Sequence, residues 1–269
     1  MKLATSYPHP KSEKVMRLQY VDERMPRRID GWHSPTLGQR MPIVTYGDRG
    51  RPVLLFPTAA ADFLENERFF LIKSVEPLIM SGKVRFFSID SINRQAWMDR
   101  SLPVPEQARR QMLYARYVED EVVPYVRHMC GDQHARIGVT GASFGAFHAA
   151  NTLFRRPDLF DALIAMSGFY DLGPGYLRGF SNDNCFFNNP AWYLPGMSGA
   201  PLDILQRSAF IVIVTGQGAW EAPHNSTQFS ELLKKKNIPH LLELWGHDVN
   251  HDWPWWRKML PHYLSKLCS

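Results

Sequence analysis

The chain has 269 residues, 45% of them hydrophobic, with a net charge of +5 and a pI of about 9.1. That is apolar material enough for one large core, and its lysines and arginines are scattered among acids rather than gathered in a stripe, which argues against nucleic-acid binding. Three widely separated cysteines (Cys130, Cys185, Cys268) fit neither a disulfide framework nor a zinc motif, and no apolar run is long enough to span a bilayer.

Residues 1–14 are polar and proline-containing and read as a loose lead-in to a single domain over 15–269. They hold no apolar h-region, so a cytoplasmic protein is expected. Residues 15–20 alternate and suit a strand. A hairpin is expected over 28–46, turning at Ser34-Pro35-Thr36-Leu37-Gly38. Residues 52–56 form a continuous apolar run, the signature of a parallel strand buried on both faces. The small residues of 57–61 follow it. A helix is predicted over 63–80, with Phe69, Ile72, Val75 and Leu78 at helical spacing, then a strand over 84–89.

Residues 91–105 read as a loop around Trp97, and 106–129 as a long amphipathic helix kinked near Pro124. Strands are predicted over 137–140, 162–166, 209–215 and 240–245. Residues 169–206 break the alternation of strand and helix. They are rich in Gly, Asn, Pro and aromatics, and read as a cap-like insertion over the strand ends. A helix over 227–236 ends in Lys234-Lys235-Lys236, where cations suit the dipole. Asp252 is a good cap and Pro254 a good first-turn residue for a last helix running to about 266. Strands alternating with helices imply an α/β fold with a mainly parallel sheet flanked by helices.

The chemistry gathers at Gly141-Ala142-Ser143-Phe144-Gly145, between a short apolar strand and a helix that opens on small residues. This is the context of a G-x-S-x-G nucleophile elbow. The pentapeptide alone is a weak signal; strand before and helix after make it strong. A serine hydroxyl needs a base, and the base an orienting acid. In open α/β sheets such groups stand at the carboxyl ends of strands. After 209–215 the carboxylate in the loop is Glu221. After 240–245 the loop offers His247 and His251. His251, held against the Asp252 cap and the Trp253-Pro254-Trp255-Trp256 cluster, is the preferred base.

A metal reading of His247, Asp248, His251 and Asp252 is disfavoured, because histidines four apart converge on one ion when they lie on a helix, and these precede one. No metal and no cofactor are expected. The oxyanion hole needs two N–H donors. One is expected from Phe144. The other is expected from Thr58 or Ala59, since Pro57 has no N–H to give. His148, one turn beyond the elbow, is expected to pack in the central helix. Trp97 and the cap aromatics suit either an acyl pocket or plain core.

With these residues in view, the chain resembles α/β-hydrolases of the esterase D type, which include S-formylglutathione hydrolases, feruloyl esterase modules and mycobacterial mycolyltransferases. The resemblance spans about residues 28–267. Its most specific element is H-D-W-P-W-W-R, His251 to Arg257, which is similar to the H-S/D-W-x-x-W ending around the catalytic histidine of those relatives. The S-P-x-L-G-x-x-M start, F-P-T, G-x-S-F-G-A-x-H-A and F-N-N-P are similar to small bacterial proteins of the putative-esterase family. The resemblance implies Ser143 as nucleophile, His251 as base, Glu221 as acid and the Phe144 and Thr58 amides as oxyanion donors. Many relatives carry aspartate where Glu221 stands. The expected activity is serine carboxylic-ester hydrolysis on a small-molecule ester. The alternatives are acyl transfer by the same triad, or a non-catalytic binding protein of this fold. No nucleic-acid or membrane partner is expected, and the oligomeric state is open.

Overall fold

A computed structural model describes residues 20–59 and 61–268. The expected lead-in, and all but the last residue of the strand expected at 15–20, lie outside the described residues. Eight strands form one sheet: β1 (Arg27–Ser34), β2 (Gln39–Tyr46), β3 (Arg51–Phe56), β4 (Val84–Ile89), β5 (Ile137–Ala142), β6 (Phe160–Met166), β7 (Phe210–Thr215) and β8 (Leu241–Leu244). Their order is β1-β2-β4-β3-β5-β6-β7-β8. The β1–β2 and β2–β4 pairs are antiparallel, and all the others are parallel. β4, β5 and the last five residues of β3 are buried throughout, as central strands covered on both faces are, with Arg85, Ser88 and Thr140 buried among the apolar side chains.

Ten α-helices accompany the strands among the described residues: α1 (Glu65–Arg68), α2 (Leu71–Met80), α3 (Val104–Tyr117), α4 (Val123–Cys130), α5 (Phe144–Arg155), α6 (Asp183–Phe186), α7 (Pro190–Tyr193), α8 (Ala200–Ser208), α9 (Pro223–Lys235) and α10 (Trp253–Leu267). One core cluster joins one face of the sheet to α5 and to the segment 114–126, and a second joins the other face to α2 and α10. None of the described helices is long and apolar enough to cross a membrane.

Two expectations need correcting. The helix expected over 63–80 is two, α1 and α2, because Phe70 adopts a left-handed φ of 62°. The helix expected over 106–129 is interrupted at Val118–Val122 by a π-helical turn. Pro124 has no N–H for the Asp120 carbonyl, so the ladder shifts in the turn before the proline. The cap-like insertion expected at 169–206 is built as a chain of short helices. Tyr176, Phe169, Phe180 and Trp192 lie against a cluster of Trp97, Phe144, Phe147, Leu172 and Leu177.

The chain lays β4 on one side of β3 and β5 on the other, so connections leave β3 and β5 in opposite directions. The crevice outside the carboxyl ends of these two strands is where a doubly wound sheet binds ligands. Both Ser143 and the Pro57–Ala59 turn open into it.

Candidate active site

Ser143 follows β5 directly and precedes the first residue of α5. Its φ of 56° and ψ of −121° lie in a region that costs a non-glycine residue on the order of 1–3 kcal/mol. The flanking glycines explain how the turn fits. A Cβ on Gly141 would stand 2.5 Å from the Gly145 carbonyl carbon and oxygen, and one on Gly145 would stand 2.7 Å from the carbonyl oxygens of Phe56 and Pro57. The elbow thus presses helix, turn and the end of β3 into direct backbone contact. Ser143 N donates to Met166 O at 2.9 Å, fixing the turn against β6. The Ser143 side chain is half-buried, and among the described residues its hydroxyl makes no hydrogen bond.

Glu221 and His251 meet, from loops after β7 and β8. His251 Nδ1 lies 3.3 Å from Glu221 Oε2. Backbone bonds zip the two loops together: Gln217 N to Gly246 O, Gly218 N to Val249 O and His251 N to Ala219 O. Asn250 Oδ1 accepts from Ala219 N at 2.8 Å. The Glu221 side chain is 1% exposed and that of His251 24%, so the carboxylate is sealed and the imidazole is partly open to solvent. Burial raises the Glu221 carboxyl, but hydrogen bonds from His251 and Ser167 outweigh it and hold the group below its ordinary value. Ser167 Oγ donates to Oε1 at 2.6 Å, Gly216 N to Oε1 at 3.1 Å and Thr215 Oγ1 to Oε2 at 3.0 Å. Every protein group on the carboxylate can donate, which keeps it ionised. His247 is exposed and stays apart from this pair.

The Phe144 amide is the first of α5 and, as a helix N-terminal N–H, has no intrahelical acceptor. Thr58 departs from expectation. Its N–H donates to Glu65 Oε2 and its hydroxyl to Glu65 Oε1, both at 2.8 Å. Glu65, at the start of α1, therefore already occupies the Thr58 amide. Asn93 Nδ2 donates to Ala59 O at 2.6 Å, and Asn93 Oδ1 meets His148 Nε2 at 3.0 Å. Burial lowers His148 to about 3, so it stays neutral and packs in α5 as expected. Trp97 is fully buried, with its indole N–H on Gln111 Oε1 at 3.0 Å; of the two readings left open for it, core is the one observed. Sequence reasoning missed Ser167, Thr215 and Glu65. Ser167 stands just beyond β6, Thr215 at the end of β7 and Glu65 at the start of α1, and a lone hydroxyl or carboxyl at such a place carries no motif. Among the described residues no cluster of three or more His, Cys, Asp and Glu is placed to hold a metal ion.

Sheet order, elbow and strand-end dyad together define an α/β-hydrolase. A ferulic acid esterase structure superposes with a TM-score of 0.71 at 17% identity, covering 91% of this chain and 98% of that one. A fluorophosphonate-binding serine hydrolase of Staphylococcus aureus gives 0.70 at 13%, covering 91% and 99%. An S-formylglutathione hydrolase of Agrobacterium tumefaciens gives 0.65 at 12%, covering 91% and 95%. At these identities the likeness carries the fold. No curated protein sequence matches the chain. The family model described as "Putative esterase" matches residues 72–267, and the chain belongs to that family of ester hydrolases.

Proposed function

We propose that the chain is a serine carboxylic-ester hydrolase that works through an acyl-enzyme, with residues 15–269 as one catalytic domain. Ser143 Oγ attacks the ester carbonyl carbon. His251 takes the hydroxyl proton on Nε2, because Nδ1 is turned to Glu221. The tetrahedral intermediate collapses, and Nε2 returns the proton to the leaving alcohol. Water then attacks the acyl-enzyme by the same route, and Ser143 regains its proton. Glu221 fixes the working tautomer and stabilises the imidazolium without accepting its proton.

The Phe144 amide is one oxyanion donor in this reading. For the second, Thr58 would first have to release Glu65, so we assign the role to Ala59, the next N–H of the same turn. The small-molecule substrate is an ester that reaches the crevice between the ends of β3 and β5.

The single observation that supports this reading best is the sealed Glu221 carboxylate on His251 Nδ1, in a sheet whose β5 ends in a serine held in a left-handed elbow. The test is turnover of a panel of p-nitrophenyl acyl esters by wild type and Ser143→Ala. The variant should lose activity on the order of 10⁶-fold, as when a protease loses its serine. Full activity in Ser143→Ala would remove the mechanism.

A further inference from the structure

We infer that Ser167 and Trp256 are positioning residues for ester cleavage, forming a second support that holds acid and base together from behind. The inference rests on the proposed Ser143–His251–Glu221 reading. Trp256, in the first turn of α10, is 4% exposed, and its indole N–H donates to Ser167 Oγ at 3.0 Å. An indole nitrogen can only donate. Ser167 must therefore spend its one proton elsewhere, and it gives it to Glu221 Oε1 at 2.6 Å. The direction of the whole chain, indole to hydroxyl to carboxylate, is fixed by that chemistry. The same indole meets the His251 ring edge-on, with centroids 5.1 Å apart and planes at 87°. One side chain thus braces the base by packing and the acid through a hydroxyl.

Ser167 also stands in a conformation that its backbone does not favour. Its φ is 50°, a left-handed value, and its N–H donates to Val214 O at 2.7 Å, tying the end of β6 to β7. A turn needing only that backbone would be served better by glycine. What glycine lacks is the hydroxyl. Strain kept at a residue whose side chain reaches the acid points to a role for that side chain.

The consequence is electrostatic as well as geometric. Glu221 Oε2 serves His251 and Thr215, while Oε1 serves Ser167 and the Gly216 amide. Removing the Ser167 donor leaves more of the negative charge to be felt by His251 and lets the carboxylate turn. The Tyr170 hydroxyl also feels the Glu221 charge, and burial pushes it up and keeps it neutral. The ionisations at issue are those of Glu221 and His251.

The test compares Ser167→Ala, Trp256→Phe, their double variant and Glu221→Ala. The readouts are p-nitrophenyl acetate turnover over pH and the second-order rate of fluorophosphonate labelling. Ser167→Ala should lower kcat about 10- to 100-fold, the loss expected for one hydrogen bond to a charged group, with KM nearly unchanged. Its acidic limb should move to higher pH. Trp256→Phe, which keeps a ring against His251, should lose a similar factor, and the double variant no more than the worse single one, because both act through one chain. If Ser167→Ala does not fold, Ser167→Gly, which suits the left-handed turn, carries the same expectation. A Ser167 variant with wild-type kcat and an unmoved acidic limb, alongside an inactive Glu221→Ala, overturns the positioning role and leaves the triad standing. An active Glu221→Ala overturns both.

Discussion

Replacing Glu221 by glutamine probes the acid without changing its size. The new NH₂ must take the place of one carboxylate oxygen. At Oε1 it would face the Gly216 N–H, which stands 3.1 Å away, and the Ser167 hydroxyl, whose proton the Trp256 indole fixes in that direction. An unsatisfied buried donor costs about 1–3 kcal/mol. At Oε2 it would face Thr215 and His251. Thr215 Oγ1 has another acceptor in Gly216 O at 3.2 Å, so the amide nitrogen is expected at Oε2. There it would donate to His251 Nδ1 and leave the proton on Nε2. An imidazole in that tautomer cannot take a proton from Ser143. In a serine protease the corresponding exchange costs about 10⁴ in kcat with the geometry intact. We expect a loss of about 10³- to 10⁴-fold in kcat, little change in KM and a folded protein by circular dichroism and thermal unfolding. Steady-state kinetics on an activated ester, with the rate of fluorophosphonate labelling alongside, make the measurement. A folded Glu221→Gln variant within tenfold of wild type would refute the tautomer argument.

Other expectations follow from packing and charge. Gly145→Ala puts a Cβ 2.7 Å from two backbone carbonyl oxygens, so it should destabilise by about 1–3 kcal/mol and lose more activity than stability, whereas Gly175→Ala, which meets nothing within 4 Å, should do neither; thermal melts and turnover decide. Burial raises the Asp90 carboxyl from 3.8 to about 6, so the folded state holds that proton longer than the unfolded one and stability falls as pH rises from about 4 to about 6. Asp90→Asn should abolish that slope and gain up to about 3 kcal/mol near neutral pH in denaturant titrations; an unchanged midpoint would contradict the reading. His148 works in the opposite sense. Burial holds it neutral down to about 3, while the unfolded imidazole takes a proton near 6.5, so stability falls as pH drops through that window, and His148→Gln should flatten this limb in the same titrations.

Much of this architecture is legible in the sequence because burial on both faces leaves a plain signature. The strands β3, β5, β6 and β7 are apolar runs ending in small or polar residues, and the elbow's glycines mark a turn where backbones touch. Asp252 reads as a cap, and its carboxylate does accept from Trp253 N at 2.7 Å. The Lys234–Lys236 run reads as a helix end, and α9 closes at Lys235.

What stayed hidden depends on tertiary context. No glycine marks the left-handed Phe70 that divides α1 from α2, since the residue is placed by the packing on either side. The π-helical turn falls a whole turn ahead of the Pro124 that causes it. The capture of the Thr58 amide by Glu65, seven residues along, needs α1 to fold back over the end of β3, and nothing in the local pattern announces it. Ser167 reads as the end of a strand, and only the arrival of Glu221 from the loop after β7 and of Trp256 from α10 gives its hydroxyl a purpose.

The central claim is an activated serine at Ser143. The most direct measurement is fluorophosphonate labelling followed by peptide mass spectrometry, on wild type, Ser143→Ala and His251→Ala. One stoichiometric adduct is expected on Ser143, none in Ser143→Ala, and labelling slowed by orders of magnitude in His251→Ala. A folded wild-type protein that takes no adduct, or one labelled on another residue, would contradict it.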